Sequence, residues 1–285
     1  MEGIPVRHIN TTGRAPELSA SFHIRDVESM LAGKDMIQAL HRHDFFYLLA
    51  LKKGKGVHEI DFTSYQVSDH SVFFMHPGQV HQLALKAGST GYLMQFHGAF
   101  YTSPDKASNK LLCKASHINH YQFNAAKFQK LFTILTSIFQ EYTAKQERHL
   151  EVMKASMYIL FVELLRDNNS AASRNNNLYA QERLDDFLSL LEVHVFEHKQ
   201  VSEYAGMLNL SPYQLNAITK ATLGKTCSDV INEHIILEAK RSLLATSDQV
   251  NQVAWRLGYE DVSYFIRFFK KHTGHSPEAF RHNFR

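Results

Sequence analysis

The chain has few of the residues on which small extracellular proteins and zinc-finger domains depend. Only two cysteines occur among its 285 residues, Cys113 and Cys227, and they lie far apart in the sequence. Two distant cysteines argue against a disulfide framework and against the paired-cysteine spacing of a zinc finger. Such sparing use of cysteine is typical of proteins in a reducing cytosol.

Long apolar stretches are also missing. No run of about 18 uncharged apolar residues occurs, so the sequence predicts no membrane-spanning helix. The first residues, MEGIPVRHINTTGR, lack the apolar centre of a secretory signal peptide. We therefore expect a cytoplasmic protein that has no membrane partner.

Charge of one sign is scarce as well, because the formal net charge is only +3. Residues 1–198 carry equal numbers of basic and acidic side chains, so the whole positive excess falls in residues 199–285. An excess of this size is a weak indicator of a nucleic-acid partner. The sequence also shows no phosphate-binding loop and no evident nucleophile–base pair, which gives no support to a catalytic function.

The first hundred residues have the pattern of a β-structure. Short runs rich in aromatic and branched residues, at 45–51, 57–62 and 71–75, are separated by turn-forming segments at 53–56, 68–69 and 77–78. Strands this short and this regularly spaced predict an antiparallel sandwich or barrel.

The hydrophobic period changes after residue 124. Apolar residues then recur at steps of three and four, which predicts amphipathic helices over 124–142 and 148–167. Residues 168–177, NNSAASRNNN, are polar and without pattern, as expected of a linker. Everything after this segment has a helical pattern.

The C-terminal segment repeats itself after about 49 or 50 residues. Ala205 and Ala254 are one such pair, and Asn209 and Gly258 are another. A second set of pairs lies further along each copy, namely Lys220 with Lys270 and Gly224 with Gly274.

Each copy is predicted to form a short helix, a tight turn and a longer helix. Asn209 and Gly258 tolerate the left-handed conformation that ends the first helix. Ser211 and Asp261 are suited to cap the second helix, and Pro212 suits its first turn. This arrangement is that of a helix-turn-helix, although an ordinary pair of helical hairpins shows similar patterning. A single linking helix is predicted over 228–245, between the copies.

The second copy carries a long and specific motif. Residues 257–271 read LGYEDVSYFIRFFKK, and they are followed by HTGHSP and by Phe280 and Arg281. This run resembles the signature of AraC-type transcriptional regulators, and with the weaker first copy the resemblance covers about 90 residues. It implies a domain of seven helices that contains two helix-turn-helix units.

The resemblance also assigns residues to DNA recognition. The residues it turns toward DNA are Tyr213, Gln214, Asn216 and Ala217 on the first recognition helix, and Val262, Ser263, Ile266 and Arg267 on the second. Arg267 is expected to pair with guanine and Asn216 with adenine. Lys220, Lys270 and Lys271 are expected to contact phosphates, unless they only form a solvated face. Ala217 and Thr219 depart from the usual pattern, so the first unit is expected to read fewer bases.

Residues 41–47, HRHDFFY, and residues 77–81, PGQVH, resemble a cupin barrel of the kind that serves as the sensor domain in many AraC-type regulators. The resemblance makes His41, His43, Tyr47 and His81 candidates for an effector pocket. In metal-binding cupins an HxH pair, a glutamate and a later histidine hold an ion. Here Tyr47 stands where the carboxylate is needed, so we expect no metal and no other cofactor, although His41, His43 and His81 would be the ligands if one bound.

The sequence thus predicts an α+β chain of four segments. They are a cupin-like effector-sensing barrel at 1–122, a helical dimerisation or cover segment at 123–167, a linker at 168–180 and a double helix-turn-helix domain at 181–285. We expect a sequence-specific regulator that binds promoter DNA and a small-molecule effector, forms a homodimer and associates with the nucleoid. RNA polymerase is a further candidate partner.

Two other functions are alternatives to this one. A metal-dependent cupin enzyme with a helical appendage would need a more complete ligand set than the sequence offers. A protein-binding adaptor built on the helical repeat would not need Arg267 or Lys270. We therefore expect a regulator that is not an enzyme.

Overall fold

A computed structural model describes residues 5–9, 21–101, 106–166 and 178–284. These residues form two compact units, one ending at residue 166 and the other beginning at residue 178. None of the described helices combines the length and the apolar character that spanning a membrane would require.

The N-terminal unit is built on two five-stranded sheets. Its strands are β1 (Val6–Arg7), β2 (Phe22–Asp26), β3 (Met36–His43), β4 (Phe46–Lys53), β5 (Gly56–Ile60), β6 (Thr63–Val67), β7 (Ser71–Met75), β8 (Val80–Leu85), β9 (Thr90–Phe96) and β10 (His120–Gln122). The first sheet has the order β1-β3-β8-β5-β6, and the second has the order β10-β7-β4-β9-β2. The three predicted strands are therefore confirmed as β4, β5 and β7.

The expected barrel takes the form of two facing sheets. Within the described residues each sheet ends in edge strands, so hydrogen bonds do not close the structure into one continuous barrel. A core between the sheets holds the two layers together, and it includes Leu49 from β4 and Leu83 from β8. The cupin-like fold is thus present as a sandwich.

Two long helices cover the second sheet on the side away from the first. The helices of this unit are α1 (Val27–Leu31), α2 (Gly98–Tyr101), α3 (Lys106–Ser116), α4 (Ala125–Ala144) and α5 (His149–Arg166), of which α4 and α5 confirm the two predicted helices. Asn124 caps α4 by accepting a hydrogen bond from the Lys127 N–H. Leu131 and Leu135 of α4 pack into a second core with Leu48 of β4. Strand β4 is therefore buried on both faces.

The C-terminal unit contains seven helices over residues 178–284, in agreement with the prediction. They are α6 (Leu178–His194), α7 (Val201–Met207), α8 (Pro212–Leu223), α9 (Cys227–Ala245), α10 (Val250–Arg256), α11 (Val262–Thr273) and α12 (Pro277–Asn283). The predicted linker at 168–180 lies outside the described residues except for its last three, which belong to α6.

The two copies of the repeat fold alike. Asn209 and Gly258 both have positive φ, 54° and 73°, at the turns that follow α7 and α10. Ser211 accepts a hydrogen bond from the Gln214 N–H at the start of α8, and Asp261 caps α11 in the same way. The predicted turns and caps are confirmed, and α9 occupies the predicted place of the linking helix.

Gly258 is the more constrained of the two turn residues. A Cβ atom at this position would lie 1.9 Å from the carbonyl oxygen of Phe196, well inside van der Waals contact. Lys199 Nζ donates hydrogen bonds to the carbonyls of both Phe196 and Gly258, at 3.0 and 3.1 Å. The backbone of the second turn is therefore held against the segment that follows α6.

Replacing Gly258 by alanine should destabilise the C-terminal unit by at least about 2 kcal/mol, because the methyl group would clash with a carbonyl and disfavour positive φ. Trp255 is the only tryptophan in the chain and lies on α10, so urea unfolding followed by its fluorescence reports on this unit. The matched control is Asn209→Gly at the equivalent turn, where we expect a change within about 1 kcal/mol. Equal effects in the two variants would contradict this account of the second turn.

Candidate nucleic-acid interface and ligand cavity

Helix α8 presents one polar face to solvent. Tyr213 is 83% exposed, and Gln214, Ala217 and Lys220 are also exposed, whereas Leu215, Ile218 and Thr219 are buried. The predicted recognition face therefore lies on the outer side of the helix. Gln214 Oε1 accepts a hydrogen bond of 2.8 Å from the Ser211 N–H, so this side chain also belongs to the helix cap.

Asn216 is engaged within the protein at both ends of its amide. Nδ2 donates to the carbonyl oxygen of Pro212 at 3.1 Å, and Oδ1 accepts from the Cys227 N–H at 3.0 Å. The second bond ties α8 to the first residue of α9. Asn216 would have to give up these bonds to read a base with both amide atoms.

Helix α11 presents the second predicted face. Ser263, Arg267, Lys270 and Lys271 are exposed, Val262 and Ile266 are half-buried, and Phe265 and Phe269 anchor the helix in the core. The Arg267 guanidinium lies 3.8 Å from the Asp261 carboxylate, beyond hydrogen-bond distance, and the side chain is 69% exposed. Its donors are therefore available to a partner in solution.

The N-terminal unit contains a cavity of about 630 Å³. It opens among strands of both sheets and combines basic, amide, aromatic and aliphatic side chains. These are Val6, Arg7, His8, His23, Arg25, Met30, Met36, Gln38, His43, Phe45, Tyr47, Leu93 and Gln95. Of the four residues predicted for an effector pocket, His43 and Tyr47 line this cavity. His41 and His81 are buried beside it, where they contact His43.

The polar lining of the cavity is basic. Arg7 and Arg25 supply positive charge, and no aspartate or glutamate is among the described residues that line it. The guanidinium of Arg25 also donates to the amide oxygen of Gln95 at 3.2 Å. A cavity with this lining favours a small ligand that carries a negative charge and hydrogen-bonding groups.

Four buried histidines meet at the inner end of this region. The Nε2 atom of His41 lies 3.0 Å from that of His43 and 3.0 Å from that of His81, and the last two are 3.4 Å apart. His58 Nε2 lies 2.8 Å from His81 Nδ1. These four residues form the histidine cluster.

The strands account for the cluster. His41 and His43 alternate along β3 and therefore point to one face, and His81 on β8 pairs directly with His41. For His58 the sequence favours a surface or strand-packing position over the role of a ligand. Its position two residues before the buried Ile60 on β5 is the signal that it points inward.

Burial keeps the cluster uncharged. It lowers the pKa of His41 to about 4, against a smaller upward effect of the hydrogen bond to the Ala39 carbonyl, and it lowers the pKa values of His43 and His58 to about 3, with smaller effects from nearby titratable side chains. The pKa of His81 is lowered in the same direction, again mainly by burial. The four imidazoles are therefore neutral near pH 7.

Tyr47 places a hydroxyl beside the cluster. Its ring stacks on that of His43 at 5.2 Å between centroids. The hydroxyl is buried and has no hydrogen-bond partner among the described residues. Burial raises the pKa of this phenol, so it stays protonated and can donate a hydrogen bond to a ligand.

Comparison with known proteins finds two family models. Residues 31–151 match the AraC-like ligand binding domain, and residues 204–283 match a helix-turn-helix domain. The chain is also similar to the HTH-type transcriptional activator RhaS of Enterobacter sp. (strain 638), with 25% identity over 249 residues that cover 85% of this chain and 86% of the relative. RhaS of Escherichia coli O1:K1 / APEC is 24% identical over 251 residues, with the same two coverages.

Two solved structures are among those to which this chain is similar. An AraC-type regulator from Chromobacterium violaceum is 25% identical over 37% of this chain and 94% of its own, with a TM-score of 0.34. ToxT from Vibrio cholerae, bound to an unsaturated fatty acid, aligns over 92% of this chain and 95% of its own, with 15% identity and a TM-score of 0.42.

Removing the Tyr47 hydroxyl should leave the stability of the ligand-free protein unchanged or raise it by up to about 1 kcal/mol, because no hydrogen bond is lost. Tyr121 is the matched control. Its buried hydroxyl donates to the Ala115 carbonyl at 2.7 Å, so Tyr121→Phe should cost about 1 kcal/mol. Calorimetric unfolding of Tyr47→Phe and Tyr121→Phe measures both. A larger loss in Tyr47→Phe than in Tyr121→Phe would show that the Tyr47 hydroxyl has a partner in the free protein.

Proposed function

Because the chain belongs to the AraC family of transcriptional regulators, we propose that α8 and α11 contact promoter DNA, and that the N-terminal cavity binds the effector. The duplicated helix-turn-helix carries the first part of this proposal. Both of its second helices are capped in the same way and keep a polar face in solvent. In helix-turn-helix proteins this helix enters the major groove.

The two helices are proposed to contribute unequally. Arg267 on α11 is exposed and can form two hydrogen bonds with guanine. Val262, Ser263 and Ile266 lie on the same helix and extend this reading surface. On α8, Tyr213 and Gln214 are exposed, whereas the side-chain amide of Asn216 is already hydrogen-bonded to the backbone of Pro212 and Cys227. Helix α11 is therefore proposed to read more of the sequence.

Lys220, Lys270 and Lys271 are proposed to contact phosphates. All three are exposed, and all three lie in the last turns of α8 or α11. Lysines at such positions neutralise backbone charge and release counterions without reading the sequence.

Arg267→Ala should weaken binding to the preferred duplex by about 1–3 kcal/mol and relax the preference at one base pair. Lys270→Gln should instead weaken binding to all duplexes alike. It should also lower the slope of log affinity against log salt concentration by about 1, the value of one phosphate contact. The preferred duplex is first selected from random sequences with the wild-type protein, and affinities are then measured at several salt concentrations. Lys34→Gln, an exposed lysine of the N-terminal unit, is the control and should bind like the wild type. An unchanged base preference in Arg267→Ala would refute its assignment.

The cavity is proposed to bind a small anionic effector. Arg7 and Arg25 supply the charge, Gln38 and Gln95 supply hydrogen bonds, and Phe45 and Leu93 supply apolar contact. The effector can alter DNA binding only if it binds one state of the protein more tightly than the other. In this proposal residues 1–122 sense the effector, and residues 123–167 form the dimerisation or cover segment. Residues 168–180 link this part of the chain to residues 181–285, which bind DNA.

The regulator is proposed to act in the cytoplasm, to associate with the nucleoid when bound to DNA and to contact RNA polymerase there. It is proposed to exert its effect by binding alone, without catalysing a reaction. The exposed Arg267, Lys270 and Lys271 of α11, with Lys220 of α8, support a role on DNA.

A homodimer is proposed to form through α5. Val152 and Ile159 lie two turns apart on this helix and are 41% and 51% exposed, so they form an apolar stripe on the solvent side. A second copy of the same stripe would cover it in a two-fold arrangement.

Ile159→Glu should shift the chain from dimer to monomer, because the interface would bury an unpaired charge in both copies. Sedimentation equilibrium over a range of protein concentrations measures the association constant, and we expect a loss of at least about tenfold. Ile37→Glu, on a strand position that is 83% exposed, is the control and should leave the association unchanged. A monomeric wild type, or equal effects of both variants, would contradict a dimer built on α5.

A further inference from the structure

The imidazole nitrogens of the histidine cluster cannot all be satisfied by hydrogen bonds among its own members. A neutral imidazole nitrogen either donates or accepts one hydrogen bond. The three Nε2 atoms of His41, His43 and His81 are in mutual contact, and an odd number of such atoms cannot be fully paired among themselves. At least one buried nitrogen is therefore left without a hydrogen bond, which is costly in a protein interior.

The tautomers that can be inferred turn lone pairs toward the centre of the cluster. His41 Nδ1 lies 2.7 Å from the Ala39 carbonyl oxygen, which can only accept, so Nδ1 carries the proton and Nε2 carries the lone pair. His81 Nδ1 shares a hydrogen bond with His58 Nε2. When Nδ1 of His81 donates in that bond, Nε2 of His81 also offers a lone pair to the centre.

The spacing of the three atoms matches the requirements of a transition-metal ion. Imidazole nitrogens bound at about 2.0–2.1 Å are about 3.3 Å apart around a tetrahedral ion and about 3.0 Å apart when the bonds meet at right angles. The observed separations are 3.0, 3.0 and 3.4 Å. All three side chains are buried and come from strands, which are the rigid elements of the unit.

We propose that His41, His43 and His81 bind one divalent transition-metal ion through their Nε2 atoms, and that His58 positions His81 for this role. Neutral imidazoles suit zinc, copper, nickel and iron, and three of them leave at least one position for water or another oxygen donor. The proposal goes beyond DNA and effector binding, and it departs from the expectation, drawn from the sequence, that no metal binds. A carboxylate ligand is not required when three imidazoles already converge.

Another group of potential ligands supplies an internal comparison. His194, Glu197 and His198 also place ligand atoms near one another, but they lie near the surface. His198 Nδ1 is already 2.9 Å from the Glu203 carboxylate, which fixes the residues before α7. This group lacks the burial and the unpaired nitrogens of the histidine cluster.

The test uses the full chain, purified without a histidine tag and freed of metal by dialysis against a chelator. Zn²⁺ is then titrated in competition with a chromophoric chelator, and the bound metal is counted by elemental analysis. We expect one tightly bound Zn²⁺ per chain. His81→Gln and His43→Gln should lose this site or bind at least about tenfold more weakly, and His58→Gln should weaken it by about 10–100-fold.

Two variants serve as matched controls. His23→Gln removes another histidine of the same cavity, and His194→Gln removes the first ligand of the surface group. Both should keep the site at wild-type affinity. The proposal is overturned if the wild type binds no stoichiometric zinc, if His81→Gln binds it as tightly as the wild type, or if His194→Gln removes the tight site.

A second measurement remains informative if a cluster variant fails to fold. The wild-type chain loaded with Co²⁺ should show the visible absorption of a protein-bound ion, and Zn²⁺ should displace it at one equivalent. Zn²⁺ should also raise the thermal unfolding temperature of the wild type and of His23→Gln, because it binds only the folded state. Neither the absorption nor the shift is expected from a cluster that merely packs, so the absence of both would overturn the proposal.

Discussion

The placement of α11 depends on a contact between backbone atoms at Gly258. The turn brings this residue so close to the Phe196 carbonyl that no side chain can be accommodated, and Lys199 joins the two carbonyls with hydrogen bonds. Asp261 then caps α11 immediately after the turn. Because the turn is fixed against the segment that follows α6 and the helix begins four residues later, local backbone geometry sets the direction of the helix that carries Arg267.

In the first copy of the repeat, the second helix is held in place by a different contact. Asn209 reaches positive φ without a comparable close approach, and α8 is held instead by the bond from Cys227 to Asn216. That bond uses a side chain from the helix that would otherwise meet DNA. The two copies therefore differ, because Asn216 ties α8 to the linking helix, whereas Arg267, Lys270 and Lys271 of α11 are exposed. This difference agrees with the absence of a basic residue at Ala217.

Local features were predictable from the sequence, and features that depend on strand register were not. The repeat gave the turns at Asn209 and Gly258 and the caps at Ser211 and Asp261, because each depends on a few neighbouring residues. The alternation of His41 and His43 predicted a shared face for the same reason. His58 joins the cluster only because β5 pairs with β8 so that Ile60 lies opposite His81, and this pairing has no sequence signal. The separation of the expected barrel into two sheets and the engagement of Asn216 by Cys227 are likewise long-range results.

Charge links the cavity to the histidine cluster. Burial is the main reason that the pKa values of His41, His43 and His81 are lowered, and the positive charge of Arg7 lowers them further, which means that Arg7 opposes added positive charge at the cluster. A divalent ion there would face the same repulsion, and an anion in the cavity would relieve it, because His43 belongs to both sites. The two binding events would then favour each other, and by thermodynamic reciprocity an anionic effector would tighten the ion as much as the ion tightens the effector. Metal and effector would in that case act as one composite signal, and the basic lining of the cavity would serve both.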